Sequence, residues 1–215
     1  MRILLTNHFP IEDSAAGALV VRLAQGFVDR GHTVRLLVVD RNPGGASKFY
    51  VRTIVCNPTG EAADLRFALP RFAAEGDRQL TFHDLSNRQL NDYRQALRDA
   101  FDDEISTFDP HIIHVQHIWL QGHLALEAGV PYVLSAWGPE LEDASHEARF
   151  RRYAQETAEN AGRILTASDD QAAAVRALFG DLEERVVTIA PDDCDQTLLA
   201  YRQVLQSRFG DTWRP

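Results

Sequence analysis

Cysteine is scarce in this sequence: among 215 residues only Cys56 and Cys194 occur, and they lie far apart. A disulfide framework is therefore not expected, and two free thiols in a reducing cytosol are the simplest prediction. A chain of this length buries about 70% of the surface of its unfolded state, so its stability requires neither disulfides nor a structural metal.

Long apolar runs are absent as well, since no stretch of the chain approaches the ~20 residues that a membrane-spanning helix needs. The opening segment, residues 1–8, contains too short an apolar stretch for a secretory signal peptide, and no small-residue cleavage site follows it. We therefore expect an intracellular, cytoplasmic protein without a transmembrane segment.

Basic charge is in the minority, because 22 Lys and Arg residues against 31 Asp and Glu residues give a formal net charge of −9. Binding to nucleic acid or to an anionic membrane without sequence or lipid specificity requires a basic face. The charge balance disfavours both partners, although it is compatible with one local basic patch.

Three motifs of common α/β enzymes are missing. The sequence contains no G-x-G-x-x-G dinucleotide fingerprint, no Walker phosphate loop and no G-x-S-x-G nucleophile elbow. These absences disfavour a complete small dehydrogenase or hydrolase, although the fold class alone would allow either enzyme.

Apolar runs alternate with helical periodicity along the whole chain. This pattern predicts a single α/β domain with a Rossmann-like, doubly wound parallel sheet of six or seven strands, covered by helices on both faces. Ser86 and Ser168 each begin a capping box, and Asp195 is the predicted cap of the last helix. The predicted strands are residues 2–6, 33–40, 50–55, 111–116, 130–136, 163–167 and 185–189, and one long helix is predicted within 145–160.

The loop after the first strand is a candidate site, because ligands of a doubly wound sheet bind at the carboxyl ends of its strands. It carries small residues, including Ala16 and Gly17, where a helix begins. Free N–H groups at such a position can bind a phosphate, and an ordinary helix start is the alternative.

Histidines cluster around the fourth predicted strand, at positions 111, 114, 117 and 123. Alternate strand positions face opposite sides of a sheet whereas metal ligands must converge, so the spacing disfavours a metal site. We expect instead that His114 is buried and hydrogen-bonded, and that His117 and Trp119 lie at the mouth of the strand.

The fifth predicted strand leads into Trp137 and Glu140. The indole could stack on a sugar or a base, or fill a gap; Glu140 and Glu142 could act as general bases, or simply be solvated. The acidic cluster at 192–195 is explained more plainly by helix capping through Asp195 than by a divalent metal.

Five segments occur in an order that is known from one family. They are MRILLTNHFP (1–10) with LAQGFVDRGHTV (23–34), FDPHIIHVQHIW (108–119), GVPYVLSAWGPE (129–140), AGRILTAS (161–168) and RVVTIAP (185–191). Together they resemble the N-terminal, acceptor-side domain of GT-B glycosyltransferases, and more narrowly the family 4 group of retaining nucleotide-sugar transferases. The series, which covers about residues 1–191, is specific, although no single segment is.

The resemblance implies two such domains facing a cleft, with the acceptor on this domain and most donor contacts on the other. It implies a sugar or nucleotide-sugar ligand and no bound metal or other cofactor. Ala16 and Gly17 would approach the donor diphosphate from the acceptor side. The candidate residues of the cleft, for acceptor or sugar binding, are His117, Trp119, Trp137 and Glu140, and none is assigned a catalytic role.

Three positions depart from the family's pattern. Ala16 stands where a second glycine is usual, and residues 191–195 replace the usual Pro-Asn-Gly-hydrophobic-Asp. Trp137 stands where the motif Thr-x-His-Gly usually places a histidine near the transferred sugar. Because an indole N–H only donates, Trp137 cannot replace an imidazole, which puts catalysis by this chain in doubt.

The donor-binding domain of the family is missing from the sequence. Residues 196–210 follow at once and resemble the tail helix that crosses back onto the N-terminal domain, although a generic amphipathic helix would look similar. We therefore expect one domain over 1–191 with a tail helix over 192–215 packed on it, and a donor domain deleted between about residues 191 and 196.

The expected function is that of an acceptor-side glycosyltransferase domain that is inactive alone. A separate donor-binding chain, or a second copy in a homodimer, would be its partner. The alternative is a degenerate, non-catalytic binding or partner module.

Overall fold

A computed structural model describes residues 1–12, 14–44, 48–72, 80–180, 182 and 184–210. The strands are Arg2–Asn7 (β1), Thr33–Asp40 (β2), Tyr50–Val55 (β3), Ile112–Gln116 (β4), Tyr132–Ala136 (β5), Arg163–Thr166 (β6) and Val186–Thr188 (β7). The α-helices are Ala15–Asp29 (α1), Asn87–Phe108 (α2), Leu120–Ala128 (α3), Pro139–His146 (α4), Ala148–Asn160 (α5), Asp169–Phe179 (α6) and Cys194–Phe209 (α7), and a 3-10 helix spans Phe82–Asp84. None of the helices in these ranges is both long and apolar enough to cross a bilayer.

The seven strands form one parallel sheet in the order β3-β2-β1-β4-β5-β6-β7. The chain runs outward from β1 to β3, then returns to the other side of β1 with β4. The loops that follow β1 and β4 therefore diverge and leave a crevice at the carboxyl ends of these two strands. The predicted doubly wound α/β fold is confirmed, and the strand count is the larger of the two predicted values.

The two faces of the sheet bury separate apolar clusters. One face is covered by α2 to α6 and includes Tyr93, Phe101 and Phe150, whereas the other is covered by α1 and α7 and includes Phe27 and Tyr201. Parallel strands that are buried on both faces consist of almost continuous apolar residues, which is why the sequence predicts them so readily.

The tail helix α7 packs directly on the sheet domain. Its Tyr201 ring lies 5.6 Å from the ring of Phe27 in α1. Gly162, at the start of β6, has no space for a side chain, because a Cβ there would lie 2.5 Å from Val204 of α7. The backbone at Gly162 therefore packs closely against α7.

One helix is not predicted, and one predicted cap is wrong. The helix predicted within 145–160 is α5, whereas α4, which begins at Pro139 and is separated from α5 by the extended backbone of Glu147 (φ −122°, ψ 113°), is not predicted. The cap of α7 is Asp193, whose carboxylate accepts from two backbone N–H groups. Asp195 lies in the first turn instead and pairs with Arg30 at 2.7 Å.

Candidate functional site

The strands β1, β4 and β5 lie side by side in the sheet, so the residues that follow them meet at one edge. His8 follows β1, His117 follows β4, and Trp137 and Glu140 follow β5. We call these four residues the carboxyl-edge cluster. Three of the four were expected from the sequence; His8 was not, although it directly follows the first strand, where the fold rule places ligands.

His117 and Glu140 form a buried pair in this cluster, each with only 2% of its surface exposed. The imidazole Nδ1 lies 3.1 Å from Glu140 Oε2. The second carboxylate oxygen accepts from the backbone N–H of Trp137 at 2.8 Å, so both oxygens of Glu140 have donors. The pair thus ties the end of β4 to the first turn of α4.

The backbone of His117 is held in the left-handed region, with φ 82°. For a residue other than glycine this conformation costs about 1–3 kcal/mol and persists only where the surroundings impose it. The side-chain Nε2 is buried and has no hydrogen-bond partner. Strain together with an unpaired buried nitrogen distinguishes His117 from an ordinary core histidine.

His8 lies beside His117 and is fully buried. Its Nδ1 lies 2.7 Å from the hydroxyl of Tyr93, and its Nε2 has no partner. Burial, and to a lesser extent the neighbouring His117, holds the pKa of His8 well below its usual range. Both imidazoles contact the ring of Phe72, at centroid distances of 6.4 and 5.1 Å. His8 is therefore neutral at physiological pH, inside a largely aromatic environment.

Trp137 is half-buried at the edge, but its polar atom is directed inward. The indole N–H donates to Oε1 of Gln116 at 2.9 Å. The backbone carbonyl oxygen of Trp137 accepts from the side-chain amide of Gln171 in α6, also at 2.9 Å. Trp137, which stands where the resemblance implies a histidine, therefore connects β4 with α6 at this edge. Only the surface of its ring remains for a ligand.

Trp119, which the sequence predicts to lie near the cleft, is buried, with only 2% of its surface exposed. Its ring packs against Phe82 at 4.4 Å and against Phe150 at 4.7 Å. These partners come from segments distant in sequence. Trp119 therefore forms part of the core beneath the carboxyl-edge cluster, and its indole N–H is buried without a partner.

Ala16 and Gly17 lie in the first turn of α1, on the loop that follows β1. The N–H of Gly17 already donates to the side chain of the cap, Ser14, at 2.8 Å. A Cβ at Gly17 would lie 1.9 Å from the carbonyl oxygen of Pro10, so the glycine is required by packing. Of these two residues, only Ala16 therefore has a backbone N–H that does not donate to Ser14.

The histidines near β4 do not converge on a metal. His114 is buried and hydrogen-bonded, as expected, to Ser135 at 2.7 Å, and burial lowers its pKa to about 3. His123 pairs with Glu156 at 2.9 Å. The part of the chain that the structure describes contains no group of three or more His, Cys, Asp or Glu residues that could hold a metal ion.

Comparison with models of known protein families identifies the family of this chain. A family model described as "Glycosyl transferase 4-like domain" matches residues 14–192. The chain belongs to the glycosyl transferase 4-like domain family. The resemblance predicted from the five segments is therefore confirmed. A search of curated proteins found no match.

Solved structures share the fold of this glycosyl transferase 4-like domain. Sucrose-phosphate synthase from Thermosynechococcus elongatus is 14% identical with a TM-score of 0.61, over 88% of this chain and 48% of that one. A chain of the same synthase described by the ranges 27_220_406_426 has the same identity and TM-score, over 94% of this chain and 98% of that one. Anabaena Alr3699/HepE in complex with UDP-glucose is 14% identical with a TM-score of 0.50, over 89% and 44%. The domain thus spans about half the length of the first and third of these proteins.

An open cavity lies at the opposite, amino edge of the sheet. It has a volume of about 720 Å³ and is lined by the segment before β5, by the start of β6 and by the end of α7. Arginine side chains at 163, 185 and 208 contribute to its wall. In this glycosyl transferase 4-like domain, cavity size and buried chemistry therefore point to different edges, and the fold rule favours the carboxyl edge.

Proposed function

We propose that this chain is the acceptor-side half of a glycosyltransferase and that its carboxyl-edge cluster binds a sugar or acceptor hydroxyl. The observation that carries the proposal is His117: buried, strained at φ 82°, bonded through one nitrogen and unpaired at the other. Backbone strain of this kind concentrates at functional sites, where it orients a group for a ligand. Membership of the glycosyl transferase 4-like domain family supports a sugar as that ligand.

The pairing with Glu140 determines what the free nitrogen can do. An ionised carboxylate only accepts, so Nδ1 of His117 carries the proton that it donates to Glu140. In the neutral imidazole Nε2 is then an acceptor, which suits the hydroxyl of a sugar. The aromatic rings of Phe9 and Phe72, at 5.2 and 5.1 Å from the His117 ring, would supply apolar surface beside that hydroxyl.

The proposal includes a donor-binding domain that a separate chain supplies. This chain spans about half of one sucrose-phosphate synthase chain but nearly all of a second one. The amide of Ala16, rather than that of Gly17, is then the group that approaches the donor diphosphate.

A degenerate binding module is the second candidate. Trp137 favours it, because the indole N–H is committed to Gln116 and offers no imidazole where the family usually has one. Under this alternative the cluster would bind a sugar or a nucleotide sugar, but no donor-binding partner would restore transfer.

We also propose that the chain works in a reducing compartment such as the cytosol. Cys56 and Cys194 are both free and buried, Cys194 against Gly26 of α1. A redox environment that keeps thiols reduced is compatible with both.

Calorimetry with UDP-glucose as the probe tests the proposed site. We expect weak but measurable binding by the wild-type chain, because most donor contacts belong to the absent domain, and at least a tenfold weaker affinity in His117→Asn, since asparagine tolerates the left-handed backbone but lacks the imidazole. The exposed His146 provides the matched control, His146→Asn, which is expected to retain the affinity. No binding by the wild-type chain, or equal binding by His117→Asn, would contradict the site.

A transfer assay on the same samples tests whether transfer requires a donor-binding domain from another chain. We expect no transfer of glucose from UDP-glucose by the purified chain alone. Sustained transfer by this chain would overturn the need for a donor-binding partner while leaving the sugar site in place.

A further inference from the structure

We infer that the tail helix α7 positions the carboxyl-edge cluster through a chain of hydrogen bonds that crosses the sheet, with Tyr201 and His114 as positioning residues. The inference rests on the proposed function only in so far as the cluster is a ligand site. The chain of contacts runs, in order, through Tyr201, His114, Gln116, Trp137, Glu140 and His117.

The first links lie inside the sheet. The hydroxyl of Tyr201 in α7 lies 2.6 Å from Nδ1 of His114 in β4. On its other side, His114 Nε2 lies 2.7 Å from the hydroxyl of Ser135 and 3.3 Å from Nε2 of Gln116. Tyr201 and His114 are both buried, so no water competes for these contacts.

The last links reach the edge. The indole of Trp137 donates to Gln116 at 2.9 Å, and its backbone N–H donates to Glu140 at 2.8 Å. Glu140 then holds His117 at 3.1 Å. The step from His114 to Gln116 lies within β4, and the other steps connect β4 to α7, to the end of β5 and, through Glu140, to α4.

The chemistry of the groups gives the chain a direction. An indole N–H only donates, so the atom of Gln116 that faces Trp137 is the oxygen and the atom that faces His114 is the amide nitrogen. That nitrogen donates, so Nε2 of His114 must be an acceptor; a proton on Nε2 would set two donors against each other at 3.3 Å. His114 therefore carries its proton on Nδ1 and donates it to the oxygen of Tyr201.

Loss of the Tyr201 hydroxyl would reverse this order. The N–H of His114 would be buried without an acceptor, which is costly, and the proton would move to Nε2, where Ser135 can accept it. The amide nitrogen of Gln116 would then face the N–H of His114, so two donors would meet and the side-chain amide of Gln116 would have to rotate. Its oxygen would leave Trp137, and the segment that carries Glu140 would lose one of its attachments.

The protonation state of His114 in the unmodified chain tests the first half of the inference. Nitrogen NMR of the histidine side chains, assigned through contacts of the His114 ring with the Tyr201 ring, distinguishes the two neutral forms. We expect the proton on Nδ1, which is the less common form of a neutral imidazole. A proton on Nε2 would overturn the proposed direction of the chain.

The Tyr201→Phe variant tests the second half, with Tyr132→Phe as the matched control. Tyr132 is also a buried tyrosine with one hydrogen bond, to the carbonyl oxygen of Thr157 at 2.7 Å, but it has no link to the cluster. The readout is the indole N–H signal of Trp137, which the Trp137→Phe variant identifies. We expect Tyr201→Phe to shift this signal and to speed its hydrogen exchange about fivefold or more, and Tyr132→Phe to leave both unchanged.

A role of Tyr201 in stability alone would give a different pattern. In that case the two variants would unfold more easily to a similar extent, while the indole signal and the position of the His114 proton stayed as in the wild-type chain; this result would overturn the inference. All these readouts use the chain without ligand. A failure of UDP-glucose to bind would therefore contradict the proposed function and leave this inference standing.

Discussion

The two edges of the sheet differ in what they bury. The amino edge has an open cavity of about 720 Å³, and its ion pair of Arg2 with Asp109, at 2.6 Å, is partly exposed to solvent. The carboxyl edge buries the pair of His117 with Glu140 together with nitrogens that have no partner. Unsatisfied buried polar groups cost about 1–3 kcal/mol each, so they require an explanation that exposed ion pairs do not.

Under the proposed function, this difference means that the volume of an opening is a poor guide to the ligand site in this fold. The family relationship and the topology both favour the carboxyl edge, where the order of the strands reverses between β1 and β4. Strain, buried polar atoms and the link to α7 coincide at that edge. The predictions below test this contrast, from the largest expected effect to the smallest.

Removing Glu140 is expected to have the largest effect. Glu140→Ala leaves His117 and the N–H of Trp137 without their acceptor, so it is expected to lower the free energy of unfolding by about 3 kcal/mol and to abolish UDP-glucose binding. Urea denaturation and calorimetry measure the two effects. Glu142→Ala, on the exposed side of the same helix, is the control and is expected to change neither. Equal behaviour of the two variants would remove the contrast between the edges.

The histidine beneath the carboxyl edge is expected to make the fold sensitive to acid. Burial lowers the pKa of His114 to about 3 in the folded state. The unfolded chain takes up this proton first, so the stability present above about pH 6.5 is lost as the pH falls toward 3, by about 2 kcal/mol between pH 7 and pH 5.

Urea denaturation at these two pH values measures that loss, and a matched pair of variants locates it. His114→Gln is expected to remove the contribution of this histidine and to leave that of the buried His8, whose pKa is also lowered, while His111→Gln, at the amino edge, is expected to retain most of the loss. The same dependence on pH in both variants would show that the acid sensitivity arises elsewhere.

Restoring the family's histidine is expected to have a mixed effect. Trp137→His leaves Gln116 without its indole donor and is expected to cost about 1 kcal/mol of stability. It is also expected to strengthen binding of UDP-glucose, because an imidazole returns to the edge. Trp137→Phe is the control, with the same loss of the donor but no gain in affinity. An unchanged affinity in Trp137→His would leave Trp137 as a packing residue.

The smallest effect is expected at the amino edge. Arg208 lies on the wall of the large cavity, at the exposed end of α7. Arg208→Ala is therefore expected to change the free energy of unfolding by less than about 0.5 kcal/mol and to leave UDP-glucose binding unchanged. A clear loss of binding in this variant would move the site to the cavity.

The sequence predicts the fold better than the site. The strands are recognisable because each is an apolar run bounded by turn residues, and capping by Ser86 and Ser168 is local in sequence. His117, Trp137 and Glu140 could also be predicted, since they follow strands in a fold whose ligand edge is known. These features depend on residues close together in the chain.

The remaining features depend on contacts between distant residues. His8 and Tyr93 are 85 positions apart, and Tyr201 and His114 are 87 apart, so no local pattern indicates either contact. Trp119 is buried by Phe82 and Phe150, which also lie far from it in sequence. The division between α4 and α5 depends on the extended backbone of Glu147, a residue type with good helix propensity, so the local sequence does not indicate the break.

The most direct test of the central claim is to map where a nucleotide sugar binds. Titration of the isotope-labelled chain with UDP-glucose, followed by the backbone amide signals, reports on both edges in one experiment. We expect the largest changes at His8, His117 and Trp137. Changes confined to residues around Arg163 and Arg208, at the amino edge, would contradict the assignment of the carboxyl edge as the ligand site.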